Sequence, residues 1–144
     1  MSGFLLDTNC ISEVVSVKPD PLVLTWLDAV DERTLYLSAL TLGEIRRGIV
    51  TLAEGRRRVQ LESWLDVDLR NRFAGRILSV DEAVADQWGL LTGEMKRRGT
   101  PLPTVDAIIA ATAIHHGLTV VSRNVSDFKN AQVSVVNPWE PLQS

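Results

Sequence analysis

Short apolar runs alternate along the chain with longer stretches of helical spacing. Phe4, Leu5 and Leu6 form a run that Asp7 ends, which suits a buried strand. A helical stretch follows through Val15, and Pro19, Asp20 and Pro21 interrupt it. Val23, Leu24, Trp26, Leu27 and Val30 again have helical spacing, and Thr34 to Leu37 is rich in strand formers. From Thr41, the residues Leu42, Ile45, Ile49 and Leu52 recur every three or four positions and predict a helix face. A basic amphipathic segment runs from Arg56 to about Asp68, with Val59, Leu61, Trp64 and Leu65 as its apolar positions. Ile77 to Val80 reads as a strand. Val84, Trp88, Leu91 and Met95 then predict a helix closed by Gly99.

After the break at Pro101 and Pro103, Val105 to Ile114 is apolar on nearly every side except at Asp106 and Thr112. That pattern predicts a buried helix stopped by Gly117. Leu118 to Val121 and Val133 to Val136 read as two further buried strands. Short apolar strands alternating with helices indicate a parallel sheet covered on both faces. The expected fold class is therefore α/β, a three-layer domain with a central parallel sheet flanked by helices. Without a repeat, low-complexity tract or linker, residues 1–144 read as a single domain.

Composition narrows the function classes. The chain has 144 residues, 45% of them hydrophobic and 23% charged, which excludes a disordered tail. Fifteen Lys plus Arg against eighteen Asp plus Glu leave a net charge of −3. A global basic field is absent, so any polyanion must be gripped by local patches. Cys10 is the single cysteine, which excludes a disulfide framework and a cysteine zinc site. The first apolar run lacks a basic flank and no stretch approaches ~20 apolar residues. A cytoplasmic protein without a membrane partner is expected.

Most catalytic motifs are missing: there is no phosphate loop, no G-x-G-x-x-G, no G-x-S-x-G and no H-E-x-x-H. His115 and His116 project from different sides of a helix end, about 14 Å along the axis from Asp106, and suit the helix dipole rather than catalysis. What remains is a set of acids at element junctions. Asp7 follows the first strand, Glu44 is expected in the first turn of the third helix, Asp106 opens the buried helix, and Asp127 follows the fourth strand. In an open parallel sheet, strand ends and helix starts of this kind share the edge where ligands bind. Each acid also has a local reading. Asp7 suits an N-cap, Thr41 with Glu44 a capping box, Asp106 a dipole partner, and Asp127 a turn. Asp106 weighs against the purely local account, because a carboxylate on so apolar a helix needs a counter-charge. No Lys or Arg occurs between Arg98 and Arg123. A cation from elsewhere in the fold or a metal can fill that role, and acids without His or Cys favour a hard ion such as Mg²⁺ or Mn²⁺.

Four segments then become recognisable in order: Phe4 to Glu13, Ser38 to Gly48, Asp106 to Ala113, and Leu118 to Phe128, with Asn137, Pro138 and Trp139 near the end. Together they make the chain resemble the PIN-domain family, and especially its VapC and FitB-like toxins. The resemblance implies a Mg²⁺-dependent endoribonuclease, with Mn²⁺ as a substitute, acting as the toxin of a toxin–antitoxin pair. It places the family's first three acids on Asp7, Glu44 and Asp106. The fourth position falls on Asn124 or Asp127, and the resemblance leaves that choice open. In this reading Asp7 and Asp106 hold the ion, Glu44 orients the attacking water or completes the site, and Asn124 with Asp127 forms an outer shell. Thr8 and Ser122 are candidate phosphate donors. Arg46, Arg47 and Arg56 to Arg58 form a candidate RNA-binding patch, and Lys96 to Arg98 a second. The implied partners are RNA, a VapB- or FitA-like antitoxin and a second copy of the toxin. The antitoxin tail would lie in an apolar groove anchored by Trp26 with Leu27 and Trp64 with Leu65.

Three rival readings meet the same residues. An aspartate-nucleophile phosphatase needs a second Asp where Asn9 stands. A receiver-like Mg²⁺-binding signalling module needs an acidic pair and a late Lys, but Asp7 stands alone and Arg123 replaces the Lys. A non-cleaving PIN-like scaffold that binds RNA would not need the intact acids.

Overall fold

A computed structural model describes residues 2–141. Its sheet contains β1 (Phe4–Leu6), β2 (Leu35–Ser38), β3 (Ile77–Leu78), β4 (Thr119–Val121) and β5 (Val135–Val136). The strands are ordered β3-β2-β1-β4-β5, and every neighbouring pair is parallel. Leu5 pairs with Tyr36 on one side and Val120 on the other, so β1 is the central strand.

Among the described residues, eight α-helices connect and cover these strands: α1 (Thr8–Glu13), α2 (Pro21–Ala29), α3 (Ala39–Val50), α4 (Arg56–Ser63), α5 (Arg70–Arg72), α6 (Glu82–Arg98), α7 (Thr104–His116) and α8 (Val125–Asn130). Side chains alternate across a strand, and the two faces carry separate cores. Leu6, Leu35, Leu37 and Val121 pack with Cys10, Ile11, Val23, Leu27, Ile45 and Leu65 on one face. Leu5 and Val120 pack with Met95, Ile109, Ala113 and Phe128 on the other. Three layers follow directly. None of the described helices is long and apolar enough to cross a membrane.

Helix ends obey local chemistry. Asp20 caps α2 through the Leu22 N–H, Asp81 caps α6 through the Val84 N–H, and Gly99 and Gly117 close α6 and α7 in the left-handed conformation. In α7, the small Ala107, Ala110, Ala111 and Ala113 are buried beside Ile109, so this helix lies deep between the sheet and α6.

Several expected boundaries are corrected. The third helix begins at Ala39, because Ser38 leaves β2 and its hydroxyl accepts the Leu40 N–H at 3.1 Å. Thr41 is therefore not a cap, and Glu44 lies in the second turn. The helix ends at Val50, leaving Leu52 outside it and 38% exposed. The basic segment continues through a π-helical stretch, Trp64–Leu69, and α5 rather than ending near Asp68. The strand expected over Ile77 to Val80 contains only Ile77 and Leu78. Asp127, expected in a turn, lies instead in the first turn of α8.

Candidate active site

From β1 the chain steps outward through β2 to β3, then returns to place β4 on the other side of β1. The direction of winding therefore reverses between β1 and β4, and the crevice beyond their carboxyl ends is the natural ligand site of such a sheet. Asp7 leaves one of these strands and Ser122 the other.

Asp7 is 4% exposed. One carboxylate oxygen accepts the Thr8 N–H at 2.9 Å and the other accepts the Ser122 hydroxyl at 2.7 Å. Burial pushes its carboxyl above the usual carboxylate range, the two hydrogen bonds oppose that, and the charge of Glu44 adds to the push. The capping role and the site position coexist in this residue, because α1 starts where β1 ends.

Glu44 reaches the same place from α3. Its Oε1 accepts the Thr8 hydroxyl, and the fully buried Thr41 hydroxyl lies 3.4 Å from that of Thr8. Its Oε2 lies 4.0 Å from Arg47, whose side chain is 76% exposed. The capping box expected at Thr41 and Glu44 is thus replaced by a contact between α1 and α3.

Asp106 sits in the first turn of α7 and is half-buried. Its carboxyl is pushed up to about 6, first by burial and then by the negative charges of Asp7, Asp127 and Glu44. Asp127 occupies the first turn of α8, and Asn124 precedes that helix without capping it through its side chain. Four acids from four elements therefore share one electrostatic neighbourhood. Among the described residues, no three acidic, histidine or cysteine side chains are drawn together as a ready-made metal cage.

The residues expected to meet substrate are placed differently. The Thr8 proton is directed to Glu44 and the Ser122 proton to Asp7, so both hydroxyls brace acids. Arg46 is ion-paired with Asp66, Arg57 donates to the Val15 carbonyl, and Arg58 pairs with Glu62 at 3.1 Å. Within that patch, among the described residues, Arg47 is held only by its loose contact with Glu44. In the second patch, Arg97 pairs with Glu94 and Arg98 donates to the Asn130 carbonyl.

A groove of about 300 Å³ adjoins the acids, with Thr8 and Glu44 in one wall and Ile45, Ile49, Leu61 and Trp64 among its apolar lining. Trp26 does not join it. That ring meets Phe4 edge-on at 5.0 Å and lines a separate hollow with Pro138 and Pro141. Leu27 and Leu65 are buried in the core. Of the four expected anchors only Trp64 faces the groove. Sequence reasoning missed Asn9 and Thr41 as parts of the site. Asn9 donates to Ser122, 113 positions away, and nothing local signals that contact.

The PIN domain family model matches residues 4–133, and the chain belongs to the PIN domain family. Its relatives include a protein named as a ribonuclease and one named as a toxin. It is 39% identical to the VapC ribonuclease Y4jK of Sinorhizobium fredii, over 95% of this chain and 98% of that protein. It is 41% identical to the toxin FitB of Neisseria gonorrhoeae, over 94% of this chain and 97% of that protein. The solved structure of FitAB bound to an IR36 DNA fragment superposes with a TM-score of 0.92 and 38% identity, covering 97% of this chain and 98% of that chain.

Proposed function

We propose that this chain is a Mg²⁺-dependent endoribonuclease and the toxin of a toxin–antitoxin pair, working in the cytoplasm as a homodimer, with residues 1–144 as its one domain. The observation that carries the reading is the convergence of Asp7, Glu44, Asp106 and Asp127 at the switch point between β1 and β4. Among the described residues, the ion pair these acids make is the loose one of Glu44 with Arg47, at 4.0 Å. Kinship with the Y4jK ribonuclease and the FitB toxin supports the same activity.

The residues fit a hard divalent ion. All four acids offer oxygen, Asn124 adds an amide oxygen, and Mg²⁺ keeps several waters while binding through one or two carboxylates, so a closed cage is not required. Asp7 and Asp106 are assigned to hold it, with Mn²⁺ as a substitute. Bound there, the ion supplies a Lewis acid that neutralises charge on the scissile phosphate. Glu44, fixed at Oε1 by Thr8, is left with Oε2 to orient the attacking water and accept its proton. Asn124 and Asp127 form the outer shell, and Arg47 grips a neighbouring phosphate.

Glu44→Gln separates this role from helix stability. Ser38 caps α3, so the substitution removes no cap. RNA cleavage is expected to fall about 100-fold, the scale of a lost general base, with the melting temperature moving only a few degrees. Unchanged cleavage would remove Glu44 from the mechanism.

The deciding experiment incubates purified protein with total RNA in Mg²⁺ and in EDTA. Cleavage in Mg²⁺ and none in EDTA is expected. RNA binding without cleavage would instead make the chain a scaffold. For the antitoxin, the groove beside the acids suits an apolar peptide ending in Arg, whose guanidinium would pair bidentately with Glu44 or Asp106. The small protein encoded beside this chain is expected to co-purify with it and relieve its toxicity; failure of both removes that partner.

A further inference from the structure

The hydroxyl of Ser122 is the centre of a closed hydrogen-bond set. Its one proton goes to Asp7 Oδ2 at 2.7 Å. Its two lone pairs accept the Asn124 N–H at 3.0 Å and the Asn9 side-chain Nδ2–H at 3.3 Å. A serine hydroxyl offers one donor and two acceptor positions, so this one is filled. With both lone pairs engaged the hydroxyl is held from rotating, and its proton stays directed at Asp7. The same count fixes the Asn9 amide, since only its nitrogen can serve a hydroxyl that has no proton to spare.

Asn9 is poorly rewarded for this contact. Its Oδ1 is buried and has no hydrogen-bond partner. Such an atom lowers stability, and an apolar side chain of the same shape would avoid the penalty. The amide therefore needs a reason other than stability, and its one partner leads directly to Asp7.

We propose that Asn9 is a positioning residue of the acid centre, acting through Ser122 to hold the Asp7 carboxylate in the single orientation that binds a divalent ion. The proposal rests on the metal-dependent reading given above and adds to it a residue three hydrogen-bonded groups deep: Asn9, Ser122, Asp7. It ties the first turn of α1 to the loop after β4, across the point where the sheet reverses direction.

The test uses Mn²⁺ binding in the absence of RNA, followed by electron paramagnetic resonance of the free ion. The proteins are the full chain, Asp7→Asn, Asn9→Ala, the near-isosteric Asn9→Leu, Ser122→Ala, and Asn9→Ala combined with Ser122→Ala. Melting is recorded in EDTA. Partners behind a metal ligand typically contribute 10–100-fold to affinity. Asn9→Ala and Asn9→Leu are expected to weaken Mn²⁺ binding roughly tenfold, while melting in EDTA is unchanged or rises as the orphaned oxygen is removed. The double variant is expected to bind no more weakly than Ser122→Ala alone, because Asn9 acts only through that hydroxyl. Wild-type Mn²⁺ affinity in a folded Asn9 variant, or additive losses in the double variant, overturns the proposal while leaving the metal centre intact. If the unmodified chain fails to bind Mn²⁺, or Asp7→Asn binds it equally well, the metal centre itself falls and Asn9 with it.

Discussion

Asp7→Asn is expected to reduce RNA cleavage at least roughly a thousandfold while the protein remains folded, because in the proposed metal-dependent mechanism it removes a direct charge-bearing ligand from a site whose chemistry is electrostatic. The fold should tolerate the change for a structural reason. Asn retains an oxygen for the Thr8 N–H, so the start of α1 stays capped. Removing the charge also relieves the burial that pushes the Asp7 carboxyl upward. Against this, the bond to Ser122 must be rearranged, since an amide nitrogen in place of Oδ2 cannot accept its proton. The two effects oppose each other, and a melting temperature within a few degrees of the parent is expected. Steady-state cleavage of a labelled RNA, with thermal melting of the same preparations, checks both halves. Parental cleavage rates would remove Asp7 from the chemistry. Loss of activity accompanied by unfolding would make its role one of capping.

That separation matters because in sequence Asp7 carries both readings at once. The strand before it was legible from Phe4, Leu5 and Leu6, since a short apolar run ended by an acid has few other uses. The buried helix behind Asp106 was equally legible, as its apolar residues cover nearly every side. Other features depend on distant partners and leave little local trace. Thr41 and Glu44 satisfy the spacing of a capping box, but Ser38 reaches the helix start first and frees Glu44 to meet Thr8. Trp26 and Trp64 each precede a leucine in a stretch of helical spacing, yet one covers Phe4 while the other lines the groove. Arg46 looks available for phosphate until the π-helical stretch brings Asp66 to it. The acids could be named from sequence because they stand at element junctions, and Asp106 also because a charge on so apolar a helix is conspicuous. The neutral hydroxyls and amides that brace them are not, and only the pairing of β1 with β4 brings Asn9 and Ser122 together.

Asp106→Asn is expected to abolish cleavage, as Asp7→Asn does, but to make the metal-free protein more stable at neutral pH. Asp106 is the acid on which the site's repulsion concentrates: burial and three neighbouring negative charges lift its carboxyl from 3.8 to about 6. A carboxyl raised on folding binds its proton more tightly in the native state than in the unfolded chain. Its favourable contribution is therefore complete below about pH 3.8 and disappears as the pH rises through about 6. Above that, the ionised group weighs against the fold. The side chain is half-buried, so solvent screening trims the full linkage value to about 1 kcal/mol. Asparagine carries no charge at any of these pH values. Urea midpoints in EDTA are expected to agree more closely near pH 4.5 than at pH 7.5, where the variant should exceed the parent. Adding Mg²⁺ or Mn²⁺ reverses the order, because an ion that binds only the native parent stabilises it by mass action and leaves the variant unchanged. A variant no more stable than the parent in EDTA at pH 7.5 would show that the acids do not repel one another there. A parent indifferent to the ion would show that repulsion is present without the metal centre it is taken to serve.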